Sequence, residues 1–305
     1  MKQFDDAATA RALAFPALIN ALERMFVDGC RVPARHVHAV GEPLTTLLMP
    51  AWQPGRYYGL KVVNVGADNA ARGLPAVHAT YLLFDAATGA PLALIDGGEL
   101  TARRTAAASA LAASRLARPD ARRQLIVGAG RVGSLLAPAY RAVRTIDDVM
   151  VWSRDPQAAL RLVVKLAAVG VPARMVADLA AAAATADIVS CATLAGEPLI
   201  RGEWLAPGTH LDLIGGFTPA MREADDASMA GADVWVDTAE ALETAGDLLG
   251  PIASGALRRE DVRGTLADLC AAPAVPRERA RRTVFKSVGT ALEDLAGAIL
   301  VYESA

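Results

Sequence analysis

Leu125-Ile126-Val127-Gly128-Ala129-Gly130-Arg131-Val132-Gly133 reads as an apolar strand running into a glycine-spaced turn. The first glycine of such a turn permits a tight bend, and the second lets backbone approach a pyrophosphate. The third lets the following helix pack closely on the strand. Alone the spacing is a weak signal. It becomes strong because strand and helix patterns alternate around it: strands at 124–127, 149–152, 171–176, 188–191 and 211–214, with helices from about 131 and 156 and over 178–186. That succession predicts a parallel, doubly wound sheet. Pro138 falls inside the helix after the turn, where a kink or a place near the first turns is expected.

The second strand of this array ends at Trp152-Ser153-Arg154. An NAD site usually has an acid there for the ribose hydroxyls, whereas a hydroxyl followed by a guanidinium suits a 2′-phosphate. NADPH is therefore expected over NADH. Asp155 lies one or two residues late for the acidic role, and Arg154 as a solvated loop cation is the plain alternative.

Outward from this core, the first third has a different texture. Apolar positions at helical spacing over 7–28 (Leu18, Leu22, Met25, Phe26) end at Gly29. Strand-like pieces follow at 46–49, 57–63 and 76–84, then a turn at 85–89 and a returning strand at 91–95, which together predict an α+β meander. A helix is expected from Thr101 to about Ala117, with Arg103 and Arg104 in its first turn. The helix dipole disfavours cations there, so they need an anion, either a substrate carboxylate or a salt bridge to Glu99 or Asp96. Residues 283–302 read as one amphipathic helix that packs back on the first lobe.

Composition narrows the function. The 305 residues suit two lobes, and 31 Lys+Arg against 33 Asp+Glu leave a formal charge of −2. Nucleic-acid and anionic-membrane binding need a basic excess that is missing here, and the basic run 277–282 reads as a solvated helix face. Cys30, Cys191 and Cys270 are far apart and support neither a disulfide framework nor a metal site. No apolar run is long enough for a membrane span, and Met1–Asp6 lacks the pattern of a signal peptide, so a cytoplasmic location is expected. The Ala-rich run 179–186 reads as a packed helix.

Several further stretches accompany these signals: Pro33-Ala34-Arg35, Met49-Pro50-Ala51, Tyr58-Gly59-Leu60-Lys61, Leu100-Thr101-Ala102-Arg103-Arg104-Thr105-Ala106-Ala107, Pro207-Gly208-Thr209-His210, and Phe285-Lys286-Ser287-Val288-Gly289 with Glu293-Asp294. With the glycine motif they make the chain resemble the ornithine cyclodeaminase/μ-crystallin family over almost its whole length. The resemblance implies a homodimer formed through the first lobe, a Rossmann second lobe and a substrate cleft between them. It places a substrate-binding and dimerisation domain at 1–118 and 286–305, and the dinucleotide domain at 119–285. It also implies that Arg35, Lys61 and Arg104 hold a substrate carboxylate, with Phe217 and Val288 at the substrate. Thr105, Gly128, Gly130, Arg131, Val132, Gly133, Ser153, Arg154 and Thr193 are implied at the cofactor.

Two departures from the cyclodeaminase pattern bear on the reaction. That enzyme's acid after the Gly-Gly pair is Phe217 here, and its glutamate before the Leu-Met-Pro segment is Leu47. Deaminating an amine needs acid–base groups near the nitrogen, whereas reducing a preformed cyclic imine asks for less. The sequence is similar to the Δ1-pyrroline-2-carboxylate reductase branch, with Δ1-piperideine-2-carboxylate as a second substrate. His78 is the first candidate for proton donor, Lys61 the second, and a substrate arriving as iminium a third. Ornithine cyclodeaminase, an alanine-type dehydrogenase and a non-catalytic ligand binder of the μ-crystallin type are the alternatives.

Overall fold

The computed structural model describes residues 1–42, 44–66, 68–75, 77–273 and 280–304. The chain divides into two compact units, Met1–Thr105 with Thr290–Ala305, and Ala106–Gly289. The first division falls inside a helix, Gly97–Leu116, where the sequence reading put the boundary after 118.

In the first unit, the described residues form a six-stranded sheet from β1 (Lys2–Phe4), β2 (His36–Gly41), β3 (Leu44–Gln53), β4 (Tyr57–Gly66), β5 (Val77–Asp85) and β6 (Pro91–Asp96), in the order β1-β6-β5-β4-β3-β2. Strands β2 to β6 form the antiparallel meander. β1, which the sequence did not signal, joins β6 in parallel. Strand alternation puts Met49, Ala51, Lys61, Tyr81, Leu83, Ala93 and Ile95 on a buried face. Helix Ala291–Glu303 packs on β3 and β4 and against helix Phe15–Asp28. The expected helix over 7–28 is two, Asp6–Ala12 and Phe15–Asp28, because Pro16 is suited to a helix's first turn but not its interior. Gly29, at φ +75°, ends the second, its N–H donating to the Met25 carbonyl.

Two expectations are corrected here. The helix carrying Arg103 and Arg104 starts at Gly97, not Thr101, so both arginines lie beyond its first turn. Asp96 Oδ1 accepts from Glu99 N at 2.6 Å and caps the earlier start, which the poor helix propensity of Gly97 and Gly98 hides. Residues 283–302 are also not one helix. Thr283–Lys286 is a fully buried strand rich in β-branched and aromatic side chains, Gly289 turns the chain at φ +78°, and Thr290 caps the helix Ala291–Glu303. Lys286 therefore belongs to the second sheet rather than to the first lobe.

In the second unit, β7 (Arg123–Val127), β8 (Asp148–Trp152), β9 (Arg174–Met175), β10 (Ile188–Cys191), β11 (His210–Leu213), β12 (Asp233–Val236), β13 (Val262–Thr265) and β14 (Thr283–Lys286) form an all-parallel sheet of eight described strands. Their order is β9-β8-β7-β10-β11-β14-β12-β13. Chain order runs outward from β7 through β8 on one side and resumes with β10 on the other. This reversal is the switch point at which doubly wound Rossmann sheets bind ligands, beyond the strands' carboxyl ends. Pro138 lies inside the helix Gly133–Arg141. Residues 277–279 of the basic run lie outside the described residues. Arg282, at its end, precedes β14 and donates to the carbonyls of Gly202, Ala227 and Ser228, so it is no helix-face cation. Among the described residues no helix is long and apolar enough to cross a membrane.

Candidate functional site

Two groups of residues carry chemistry, one in each unit. In the first unit, Lys61 is 1% exposed and its Nζ lies 2.7 Å from Asp294 Oδ2 and 3.3 Å from Thr101 Oγ1. Arg104 places Nη1 2.5 Å from Glu293 Oε2 and Nε 3.0 Å from Asp294 Oδ1. Both acids stand in the first turn of the helix capped by Thr290, where the dipole favours carboxylates. Burial pushes the Lys61 ammonium down to about 8, against the pull of Asp294 and with help from the neighbouring Arg104 charge. Asp294 moves the other way: burial would raise it, but Lys61 and Arg104 outweigh burial and hold it below its ordinary value.

The question left open by the two adjacent arginines divides between them. Arg103 Nε pairs with Glu99 at 2.6 Å, one helical turn away, and its guanidinium lies 5.4 Å from the Phe15 ring centroid. Arg104 takes Glu293 and Asp294 instead. In the sequence these two acids show only as a threonine followed three and four residues later by acidic side chains.

Cross-strand register extends the group. Met49 is opposite Lys61, and Lys61 is opposite Tyr81. Arg35 is half-buried and directly precedes β2, whose first residue His36 pairs with Leu48. Leu47 pairs with Val63, two residues from Lys61 on the same face. His78 does not join them. It pairs with Asn64, an odd number of residues from Lys61, so its side chain stands on the opposite face and is exposed. Strand parity thus separates His78, the first candidate for proton donor, from the face that carries Lys61.

In the second unit, the three motif glycines meet three different demands. Gly128 sits at φ +111°, and a Cβ on it would fall 2.5 Å from the Ala192 carbonyl oxygen. A Cβ on Gly133 would overlap the Gly128 carbonyl oxygen. Around Gly130 nothing lies within 4 Å of that position, so its backbone is open to an approaching group. Tight turn, close packing and open backbone are what a dinucleotide pyrophosphate requires, and the residues fit one. Val132 is half-buried in the same turn and Arg131 is exposed.

Ser153 is half-buried and Arg154 exposed just beyond β8. Asp155 accepts from Gln157 N at 2.9 Å as the cap of helix Pro156–Ala168 and pairs with Arg161 at 3.1 Å. Thr193 follows β10, and its N–H and hydroxyl both donate to Glu223 Oε1, at 2.7 and 2.8 Å. Phe217 is 38% exposed on the turn after β11. The nearby acid Glu223 is fully buried, with both oxygens engaged by Thr193 and Gly215. Thr105 and Val288 are half-buried, and Val288 N donates to Asp237. Asp225 caps helix Asp226–Met229.

Comparison with known proteins gives a consistent result. The ornithine cyclodeaminase/mu-crystallin family model matches residues 14–305. A Delta(1)-pyrroline-2-carboxylate reductase of Paracoccus denitrificans is 48% identical over 274 residues, covering 88% of this chain and 87% of that protein. The solved structure of Thermococcus litoralis Delta(1)-pyrroline-2-carboxylate reductase in complex with NADH and L-proline superposes with a TM-score of 0.94 at 32% identity, covering 100% of this chain and 97% of that one. An archaeal alanine dehydrogenase dimer with bound NAD gives 0.92 at 29% identity, covering 100% and 96%. With the lysine–arginine–carboxylate group in one unit and the dinucleotide turn in the other, the chain belongs to the ornithine cyclodeaminase/mu-crystallin family.

Proposed function

We propose that this protein is an NAD(P)H-dependent reductase of cyclic imino acids, converting Δ1-pyrroline-2-carboxylate to L-proline and the ring larger by one methylene, Δ1-piperideine-2-carboxylate, to L-pipecolate. The observation that carries this reading is the buried Lys61, poised at about 8 beside Arg104 on a sheet face where Leu47 stands in place of a carboxylate. A nicotinamide cofactor held at the turn from Gly128 to Gly133 would supply the hydride that imine reduction requires. Lys61 gives a proton to the ring nitrogen as the C=N bond becomes single. Among the described residues Nη2 of Arg104 makes no hydrogen bond, which leaves a donor for the substrate carboxylate. Glu293 and Asp294 balance the charges of Lys61 and Arg104.

A lysine acting as acid works only while protonated, so its chemistry fixes the sign of the pH dependence. With Asp294, Glu293 and Arg104 facing it, reductive kcat/KM is expected to fall as pH rises through about 8. A profile that stays flat from pH 7 to 9 would rule Lys61 out as donor.

NADPH is the expected cofactor. Arg154 is exposed and, among the described residues, without an ion pair or hydrogen bond, while Asp155 is held as a helix cap. Arg154→Ala should raise the Kd for NADPH about tenfold and that for NADH by less than about twofold, measured by fluorescence titration. Equal effects on both would contradict a 2′-phosphate contact.

Homodimer formation through the first unit has its own support. On the face of the sheet opposite Lys61, Leu48, Leu60, Val62, Leu82 and Leu94 are only half-buried, and β2 is an exposed edge strand carrying Val37 and Val40. Uncovered apolar sheet faces and strand edges favour association with a second copy.

A further inference from the structure

We propose that Glu223 is a positioning residue for the nicotinamide cofactor, its carboxylate tying the loop after β10 to the turn after β11; this rests on the reading of the second unit as a nicotinamide site. Oε1 accepts from the N–H and hydroxyl of Thr193 at 2.7 and 2.8 Å, and Oε2 accepts from Gly215 N at 2.7 Å. The side chain is fully buried, so its job is internal. Glu223 is itself anchored: its own N–H donates to Asp247 Oδ1 at 2.7 Å, and Asp247 Oδ2 receives Lys286 Nζ at 2.9 Å. The packing around it is close. A Cβ on Gly215 would fall 2.7 Å from Glu223 Oε1, and one on Gly128 would fall 2.5 Å from Ala192 O and 3.0 Å from Thr193 Cγ2.

These contacts form one continuous chain from the dinucleotide turn, through Ala192 and Thr193, to Glu223 and then the turn that bears Phe217. All of it stands at the carboxyl ends of β7, β10 and β11, beside the switch point. A carboxylate suits the position because three donors converge on two acceptor oxygens. A glutamine offers one acceptor and one donor, so one of the two ties must face another donor and open.

The test compares cofactor binding by Glu223→Gln, Thr193→Val and the double variant, each checked by thermal unfolding. Glu223→Gln is expected to raise the Kd for NADPH about tenfold by fluorescence titration, with the KM for the imine changed by less than about twofold. Thr193→Val removes only the hydroxyl and should raise the Kd about threefold, and the double variant should be no worse than Glu223→Gln alone. An unchanged Kd in Glu223→Gln, or losses that multiply in the double variant, would overturn the assignment. Should Glu223→Gln not fold, Thr193→Val decides, and an unchanged Kd there overturns it as well. A wild-type protein that binds neither NADPH nor NADH would instead overturn the underlying reading of the site.

Discussion

Replacing Lys61 with methionine is expected to lower kcat for imine reduction by at least about a hundredfold, the scale of a lost general acid, while NADPH still binds. Methionine keeps most of the side chain's length and apolar stem but cannot carry a proton. The fold should survive, because Arg104 continues to hold Asp294. The sign of the lysine's shift argues the same way. Its folded-state value of about 8 lies below the ordinary 10.5, so stability from this group is fully present above 10.5 and is lost as pH falls toward 8. At neutral pH this shift acts against the fold, while the lowered carboxyl of its partner Asp294 acts for it. Thermal unfolding and single-turnover kinetics at pH 7 check both halves, and a variant that keeps more than a tenth of wild-type kcat would remove Lys61 from the reaction.

The second large effect is expected at Arg104. Arg104→Lys keeps a cation against Glu293 and Asp294 but loses the planar fork, so the imine KM should rise about tenfold with only a modest change in Tm. Arg104→Ala leaves two buried acids sharing Lys61. It should raise the KM about a hundredfold and destabilise the protein by about 3–5 kcal/mol. The graded series separates substrate binding from folding, and in both variants the Kd for NADPH should stay within about twofold of wild type. Lysine and alanine variants with unchanged KM would show that Arg104 serves only the buried carboxylates.

Much of this was legible before any coordinates. Alternation of short apolar runs with helical spacing revealed the parallel sheet, and its glycine turn could be placed to the residue, because period and turn chemistry are local properties. β12, β13 and β14 escaped. Asp233–Val236 and Val262–Thr265 are four-residue strands with mixed burial, and Thr283–Lys286 runs into a helix across only Gly289 and Thr290. Long-range partners were equally hidden. Arg104 meets acids about 190 residues away, and no periodicity in one segment reveals which distant carboxylate will neutralise it. The face on which His78 stands was hidden as well. Only the β4–β5 register, in which Asn64 rather than Lys61 is its partner, shows that it stands on the other face.

The most direct measurement incubates the purified protein with NADPH and Δ1-pyrroline-2-carboxylate in buffer free of ammonium, following NADPH absorbance and L-proline formation. Imine reduction predicts that one NADPH is oxidised for each L-proline formed, with no ammonia released when L-ornithine is supplied with the oxidised cofactor. Ammonia release from ornithine, or NADPH oxidation that starts only when ammonium and a 2-oxo acid are added, would contradict it.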